Sequence, residues 1–450
     1  MKVKVSVIVP SLHCALYIRE CLQSIQNQTF KDIEVLCVDA KSTDGTLEII
    51  QEFVEQDSRF KLIISEKRSY GYQMNLGLEA ARAEYVGIVE SDDCIKNNMY
   101  ERLYEVAKTH NVDIVKSDVL KFHTQNNQKN LTYCPLAYDS ALYGKKLLFE
   151  SAEPLCCENP KLLSKEHILK NTWNMNQPSL FSLAFLRKQG LKFNESAGAS
   201  YQDTGFWFQS IVLCKSLLFV NEAFYLYRQD NENSSCNAKN KVYCLCEEYD
   251  FMRLFLEERG LVKEFGSVLE YLRFGGYNWN LNRIADEFKL EFLERFRKDF
   301  SRFSKEELDD LRLETWKREI LDAILHSPSD FYFNVLCKPV GAVERVQNHL
   351  AFKLGMALLE AKTLSKALRL FYTLYTITKK HRFEQKVLQV LYKKMPHLKP
   401  LSLELYRDYS RALAVKKYLS YRLGEALVKN PLSFAFKIYP IYKSYKKERK

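Results

Sequence analysis

Three acidic residues crowd the end of one apolar run: Glu90, Asp92 and Asp93 in "EYVGIVESDDC", residues 84 to 94. Carboxylates held this close repel one another unless a cation lies between them. A hard divalent ion, manganese or magnesium, takes oxygen ligands and keeps room for phosphate oxygens, so the pattern points to metal-assisted handling of a phosphate-bearing substrate. The alternative needs no metal: Asp92 or Asp93 caps the helix expected in "KNNMYERLYEVAKTH". Another acid, Asp203, follows Gln202 and opens the apolar helix "TGFWFQSIVL", where capping is again a sufficient reading.

The elements that position these acids follow from periodicity. "VKVSVIVPS" at 3 to 11 reads as an apolar strand, and "YIRECLQSIQNQT" after it spaces Ile18, Cys21, Leu22 and Ile25 as a helix face. "DIEVLCVDA" and "FKLIISE" are further strands, each leading through a polar turn into a helix, and "YVGIVESDD" is the fourth strand. Strands apolar on both faces that alternate with helices predict a mostly parallel α/β sheet, with ligands at the strands' C-terminal ends. Pro10, Ser11, Asp39, Ser69, Tyr70 and the 90–93 acids all fall at those ends, and so are expected to line one crevice.

In order, "VSVIVPS", "VDAKSTDGT", "MNLGLEAARAEYVGIV" and "ESDD" resemble the motifs of family 2 glycosyltransferases of the GT-A fold, a Rossmann-like mostly parallel sheet with flanking helices. The resemblance implies a catalytic domain over residues 1–235, with a donor-binding half (1–117) and an acceptor-side half (118–235). It further implies a nucleotide-sugar donor, a UDP-sugar, contacted by Pro10, Asp39, Asn75, Ser91, Asp92 and Arg228, and a divalent metal on Asp92 and Asp93. Residues 177–235 resemble a subset of these enzymes, in which a Q-D pair opens a Phe-rich helix and a Y-R segment, here "YRQDNENSS", follows. On that resemblance Asp203 is the base that removes the acceptor hydroxyl proton in an inverting transfer. Arg228 then either neutralises the departing diphosphate or holds a structural salt bridge. The chain departs from the family pattern at Ala40, Lys41 and Met74, and at Glu90, where the first acid of the motif is usually Asp.

Residues 118–175 are read as helices and loops of an acceptor-facing insertion, 236–345 as a helical region, and 346–450 as a basic helical tail. Residues 351–450 hold 23 Lys and Arg against 6 Asp and Glu, whereas the first 350 residues are slightly acidic. That tail therefore suits a polyanionic surface. It also uses one unit twice, "LAFKLGMAL" from 350 and "LSYRLGEAL" from 419, each followed by an aromatic, basic segment. Such a composition suits helices lying in a membrane interface, and equally a soluble bundle with a solvated basic face. The F/Y-K-L-G-x-A-L tail resembles those of bacterial surface-polysaccharide transferases, implying a surface-glycan or lipid-linked acceptor.

No segment reaches the length of a membrane span and the N-terminus does not read as a signal peptide. The expected location is cytoplasmic, peripheral at the inner face of the plasma membrane. Twelve cysteines without zinc or disulfide spacing read as reduced, mostly buried thiols. No helix-turn-helix, zinc or RNP motif accompanies the basic tail, so no nucleic acid is expected. Among the aromatics, "FWF" at 206–208 and "YNWN" at 277–280 are candidates for stacking on a sugar ring. His13 reads as a bystander near the first strand end. The alternative function is a catalytically degenerate binding protein that keeps the fold and engages partners through its tail.

Overall fold

The computed structural model describes residues 3–448 except 126–127, 150–163, 200, 233, 235–237 and 362. The chain divides into two compact units, residues 1–322 and 323–450. The first unit thus takes in most of the expected helical region.

The first unit is built on one mixed sheet. Its strands are β1 (Val5–Ser11), β2 (Ile33–Asp39), β3 (Phe60–Ile64), β4 (Tyr85–Ile88), β5 (Cys94–Ile95), β6 (Ile114–Gln125), β7 (Gln128–Cys134), β8 (Lys146–Leu148), β9 (Ser179–Ser182) and β10 (Ser216–Arg228). They lie in the order β3-β2-β1-β4-β9-β6-β10-β5, with β7 on β6 and β8 on β10. β1 to β4 are mutually parallel, and β9 runs against both its neighbours. Val5, Val7, Ile8 and Val9 of β1 are wholly buried, which is why this run carries no polar alternation. Each such side chain contributes about 1.5–3 kcal/mol on leaving water.

Helices cover the sheet: α1 (Ile18–Gln26), α2 (Thr46–Gln56), α3 (Tyr70–Ala80), α4 (Met99–His110), α5 (Lys165–Asn171), α6 (Leu183–Gln189) and α7 (Gln202–Leu213). α3 starts earlier than its apolar spacing suggests, because the Ser69 side chain accepts the Tyr72 N–H and caps it. Three more helices, α8 (Cys244–Glu258), α9 (Val262–Arg283) and α10 (Asp286–Phe300), follow β10, and α8 packs against α7.

Two expectations are corrected. Residues 118–125 and 128–134 of the insertion expected as helices and loops belong to the paired strands β6 and β7. β7 is exposed along nearly its whole length, so it has no buried face to give an apolar signature. The insertion's residues 150–163 lie outside the described residues. The second correction concerns Asp92 and Asp93, which do not cap the following helix: β5 intervenes and α4 begins at Met99.

The second unit is helical, and its duplicated segments form the helices Leu350–Glu360 and Leu419–Lys429. Each is preceded by a short helix, Ala342–Gln347 or Tyr409–Lys416, and followed by a longer one, Leu364–Lys394 or Phe434–Lys447. The N-cap residues His349 and Tyr418, 69 positions apart, share nearly the same backbone, φ −61°, ψ 143° and φ −63°, ψ 147°. The two repeated helices pack directly on one another. A Cβ on Gly355 would stand 1.6 Å from the Ser420 carbonyl oxygen, and one on Gly424 would stand 1.7 Å from that of Ala351. Ser420 is the counterpart of Ala351, as Gly424 is of Gly355, so the contact is reciprocal, the signature of a local two-fold. Small residues four apart on both helices allow this backbone approach. Around it Ala342, Val346, Ala412, Val415 and Tyr421 form a small core. Asp408 accepts the N–H groups of Gly341, Ala342 and Val343 at 2.9–3.0 Å, satisfying the start of the helix Ala342–Gln347.

Candidate active site

The acids after β4 sit in a tight turn in which the Asp93 N–H donates to the Glu90 carbonyl at 3.0 Å. The turn directs its carboxylates to different tasks. Asp93 is buried beneath it, accepting from Tyr225 Oη and from the Arg228 N–H, both at 2.7 Å. Burial, then the neighbouring charge of Asp92, pushes its carboxyl far above the usual range. The expected metal ligand Asp93 therefore braces the end of β10 against the turn. Asp92 is only partly buried, and its Oδ2 accepts from Asn231 Nδ2 at 2.7 Å.

Glu90, the family-atypical acid, joins three elements. Its Oε1 accepts from Tyr70 Oη at the start of α3 (2.8 Å) and from Gln177 Nε2 in the segment before β9 (2.6 Å). Burial raises its carboxyl to about 7 against the pull of these two donors, and the charges on Asp92 and Asp203 raise it further. Gln177 is held in turn by its own segment, since the buried Lys116 on β6 donates to the Met175 carbonyl at 2.8 Å. Burial lowers that ammonium to about 7.

Asp203 lies in the first turn of α7. Tyr201, in the left-handed region at φ 68°, turns the chain into the helix, and Gln202 Nε2 holds the preceding loop through the Gly198 carbonyl at 3.1 Å. Asn176 Nδ2 donates to the Asp203 carbonyl at 2.7 Å, so one short segment, 176–177, contacts both the Asp203 backbone and the Glu90 side chain. Burial raises the Asp203 carboxyl to about 6, opposed by the N–H groups of Thr204 and Asp203 itself. Its charge is felt at Glu90 and at Tyr70. The sequence-distant acids of β4 and α7 thus share one electrostatic environment. Behind α7, the buried Glu248 of α8 accepts from Asn194 Nδ2 at 2.9 Å and fills the space where a side chain at Gly205 would be, 1.9 Å from its Oε1. Burial raises the Glu248 carboxyl to about 8, with the Asp203 charge adding to it.

The remaining expected residues are distributed unevenly. Pro10 and Ser91 lie at the ends of β1 and β4. Asp39 ends β2 wholly buried, its oxygens accepting from Ser11 Oγ, Ser42 Oγ and the Ser42 N–H, each at 2.7 Å, so it anchors the loops on either side. Asn75 faces protein: it exchanges two hydrogen bonds with the Phe193 backbone, at 3.0 and 2.9 Å, and ties α3 to the segment before α7. Arg228 is sandwiched between Tyr17 and Phe122 and donates to the Asp92 carbonyl at 2.6 Å, with Glu20 and Asp230 also pairing it. Its structural salt-bridge reading describes this arrangement. Of the stacking candidates, Phe206 and Phe208 are core, whereas Trp279 on α9 is part-exposed and meets Tyr201 edge-to-face at 5.5 Å.

Periodicity had no means of finding Gln177, Asn231 or Glu248. Each is a polar residue whose partner lies more than fifty positions away.

Residues 6–168 match the family model described as Glycosyl transferase family 2, and residues 277–450 match a domain of unknown function, DUF8374. The chain is 27% identical over 229 residues to glycosyltransferase GlyG of Streptococcus pneumoniae, a match covering 50% of this chain and 70% of that protein. It is 28% identical over 306 residues to cholesterol galactosyltransferase of Borreliella burgdorferi, covering 64% and 84%. Among solved structures it is similar to S. aureus TarS 1-349 in complex with UDP-GlcNAc, with TM-score 0.43 and 19% identity over 85% of this chain and 92% of that one.

Proposed function

Because the chain is a family 2 glycosyltransferase of the GT-A fold, its family domain spanning residues 6–168, we propose that it transfers a sugar from a UDP-sugar to a hydroxyl of a lipid-linked or surface glycan, with inversion. The observation that carries this reading is the segment 176–177, which holds the Asp203 backbone through Asn176 and the Glu90 side chain through Gln177 and so ties a candidate base to the acidic turn. Asp203, with a carboxyl near 6, is ionised at neutral pH yet basic enough to take a proton as the acceptor oxygen attacks. Gln202 and Asn176 fix the helix end that carries it. The part-exposed Trp279 and Tyr201, two positions before Asp203, offer an acceptor sugar an aromatic face.

The donor set suits a hard cation. Asp92 is only partly buried, with one oxygen set by Asn231, and both donors to Glu90 use Oε1, so Oε2 is not engaged by them. These two carboxylates would hold manganese or magnesium, which when bound supplies charge to neutralise the leaving diphosphate. Among the described residues no three His, Cys, Asp or Glu side chains are grouped so as to hold a metal ion by themselves. The loops anchored by Asp39, after Ser11 and through Ser42, would border the base. The protein would act peripherally at the inner face of the plasma membrane; no helix among the described residues is long and apolar enough to cross a membrane.

The test is a donor panel of UDP-, GDP-, CDP- and dTDP-sugars, with manganese, with EDTA, and with Asp92→Asn. Turnover of a UDP-sugar that EDTA and Asp92→Asn both abolish is expected. No donor bound or turned over in any condition rejects the enzyme, and turnover indifferent to both treatments rejects the metal.

A further inference from the structure

The second unit seals its inner faces and leaves two outer ones bare. Each long third helix packs on the repeated helix of its own copy, and that pairing occupies only one side of it. On Leu364–Lys394, Leu368, Phe371, Tyr372 and Tyr375 recur at helical spacing and are all exposed, Phe371 at 86%. The same stripe continues through Lys379, Arg382, Phe383, Lys386 and Val390, again exposed. The counterpart helix Phe434–Lys447 repeats the arrangement: Leu432 just before it is 95% exposed, Phe436 84%, and Tyr439, Lys443 and Lys446 follow on that face. Large apolar side chains this bare, repeated on both members of a two-fold pair, mark an interaction surface.

Charge selects its occupant. Leu364–Lys394 carries eight Lys and Arg against one Glu, and Phe434–Lys447 carries four Lys against no acid, so the partner is polyanionic. The aliphatic members of the stripes select further. Leu368, Val390 and Leu432 have nothing to stack on a nucleic-acid base, whereas they fit the boundary between headgroups and acyl chains, with Lys and Arg reaching back to the phosphates. We infer that the outer stripes of Leu364–Lys394 and Phe434–Lys447 are a two-bladed docking surface for an anionic bilayer, entered by Phe371, Tyr375, Leu432 and Phe436. This supplies residues for the membrane contact proposed above and is independent of the donor chemistry.

The test floats the full chain with vesicles of phosphatidylcholine alone and of phosphatidylcholine mixed with phosphatidylglycerol. The wild type is expected to rise only with the mixed vesicles. A variant with Phe371→Ser, Tyr375→Ser, Phe436→Ser and Tyr439→Ser, all exposed positions, should lose about tenfold or more of its bound fraction while its circular dichroism melt stays unchanged. Wild type that stays down with both vesicles overturns the inference, and so does a quadruple variant that floats like wild type. Retention on single-stranded polyuridylate, lost in the variant, without any vesicle binding would reassign the surface to nucleic acid. UDP-sugar turnover measured on the same samples in solution separates failure here from failure of the transferase reading.

Discussion

Tyr70 donates its phenol to Glu90 at 2.8 Å, linking the first turn of α3 to the acidic turn after β4. A hydrogen bond to an ionised group contributes about 1.5–3 kcal/mol, and one pKa unit corresponds to about 1.4 kcal/mol. Glu90 already sits near 7 because burial outweighs its two donors. Tyr70→Phe should therefore move the acid limb of the pH–rate profile for donor turnover upward by about one unit. A profile that does not move would show that an ionised Glu90 is not required.

Asp203→Asn should lower transfer by about 10²–10⁴-fold while leaving UDP affinity, read by calorimetry, near that of wild type. Below the limb set by Glu90, the wild-type kcat should fall more steeply as pH drops through about 6, where Asp203 takes up its proton. Equal loss of UDP binding and turnover would assign Asp203 to folding or donor binding instead.

Glu248 gives a prediction about stability. Its carboxyl is raised from the ordinary 4.5 to about 8, so between those values the native chain holds a proton that the unfolded chain has released. Stability from this group is complete below the lower value and declines as pH rises towards the upper one. Glu248→Gln keeps the shape without the titration, so its melting temperature relative to wild type should climb between about pH 5 and pH 8. A constant offset across that range would contradict the shift.

Gly355→Ala and Gly424→Ala should destabilise the second unit similarly, because the two-fold makes their surroundings equivalent. Alanine's better helix propensity offers about 1 kcal/mol. Overpacking ordinarily costs about 1–3 kcal/mol, and here the obstacle is a backbone carbonyl that cannot rotate aside. Net destabilisation is expected in thermal melts of both variants; one neutral and one severe variant would break the equivalence.

The parallel half of the sheet was legible because its strands are buried on both faces, so β1, β2 and β4 are written as mostly apolar runs, interrupted only by Ser6 and Glu34 before their polar ends. β7 was illegible for the opposite reason, since an edge strand facing water needs no such run. Within the site, the type and approximate place of Asp92 and Asp203 could be read from motif order, but the division of work could not. Asp92 and Asp93 are adjacent and chemically identical, yet one is part-exposed and the other buried, a difference made by Tyr225 and Arg228 from more than a hundred residues away. A separation of 87 positions hides Gln177 from Glu90 in the same way: a hydrogen bond between distant side chains leaves no period in a sequence. The duplicated unit was visible, and its meaning lay in which surfaces the copies turn to each other.

That reciprocal seam makes the second unit a homodimer written in a single chain. A chain cut between the copies would retain Ala351 and Gly355 as half of a self-complementary interface, with the small core around them open to water. Such a fragment could close the seam only by recruiting the same half from another molecule, so truncation would turn an internal symmetry into an oligomeric one.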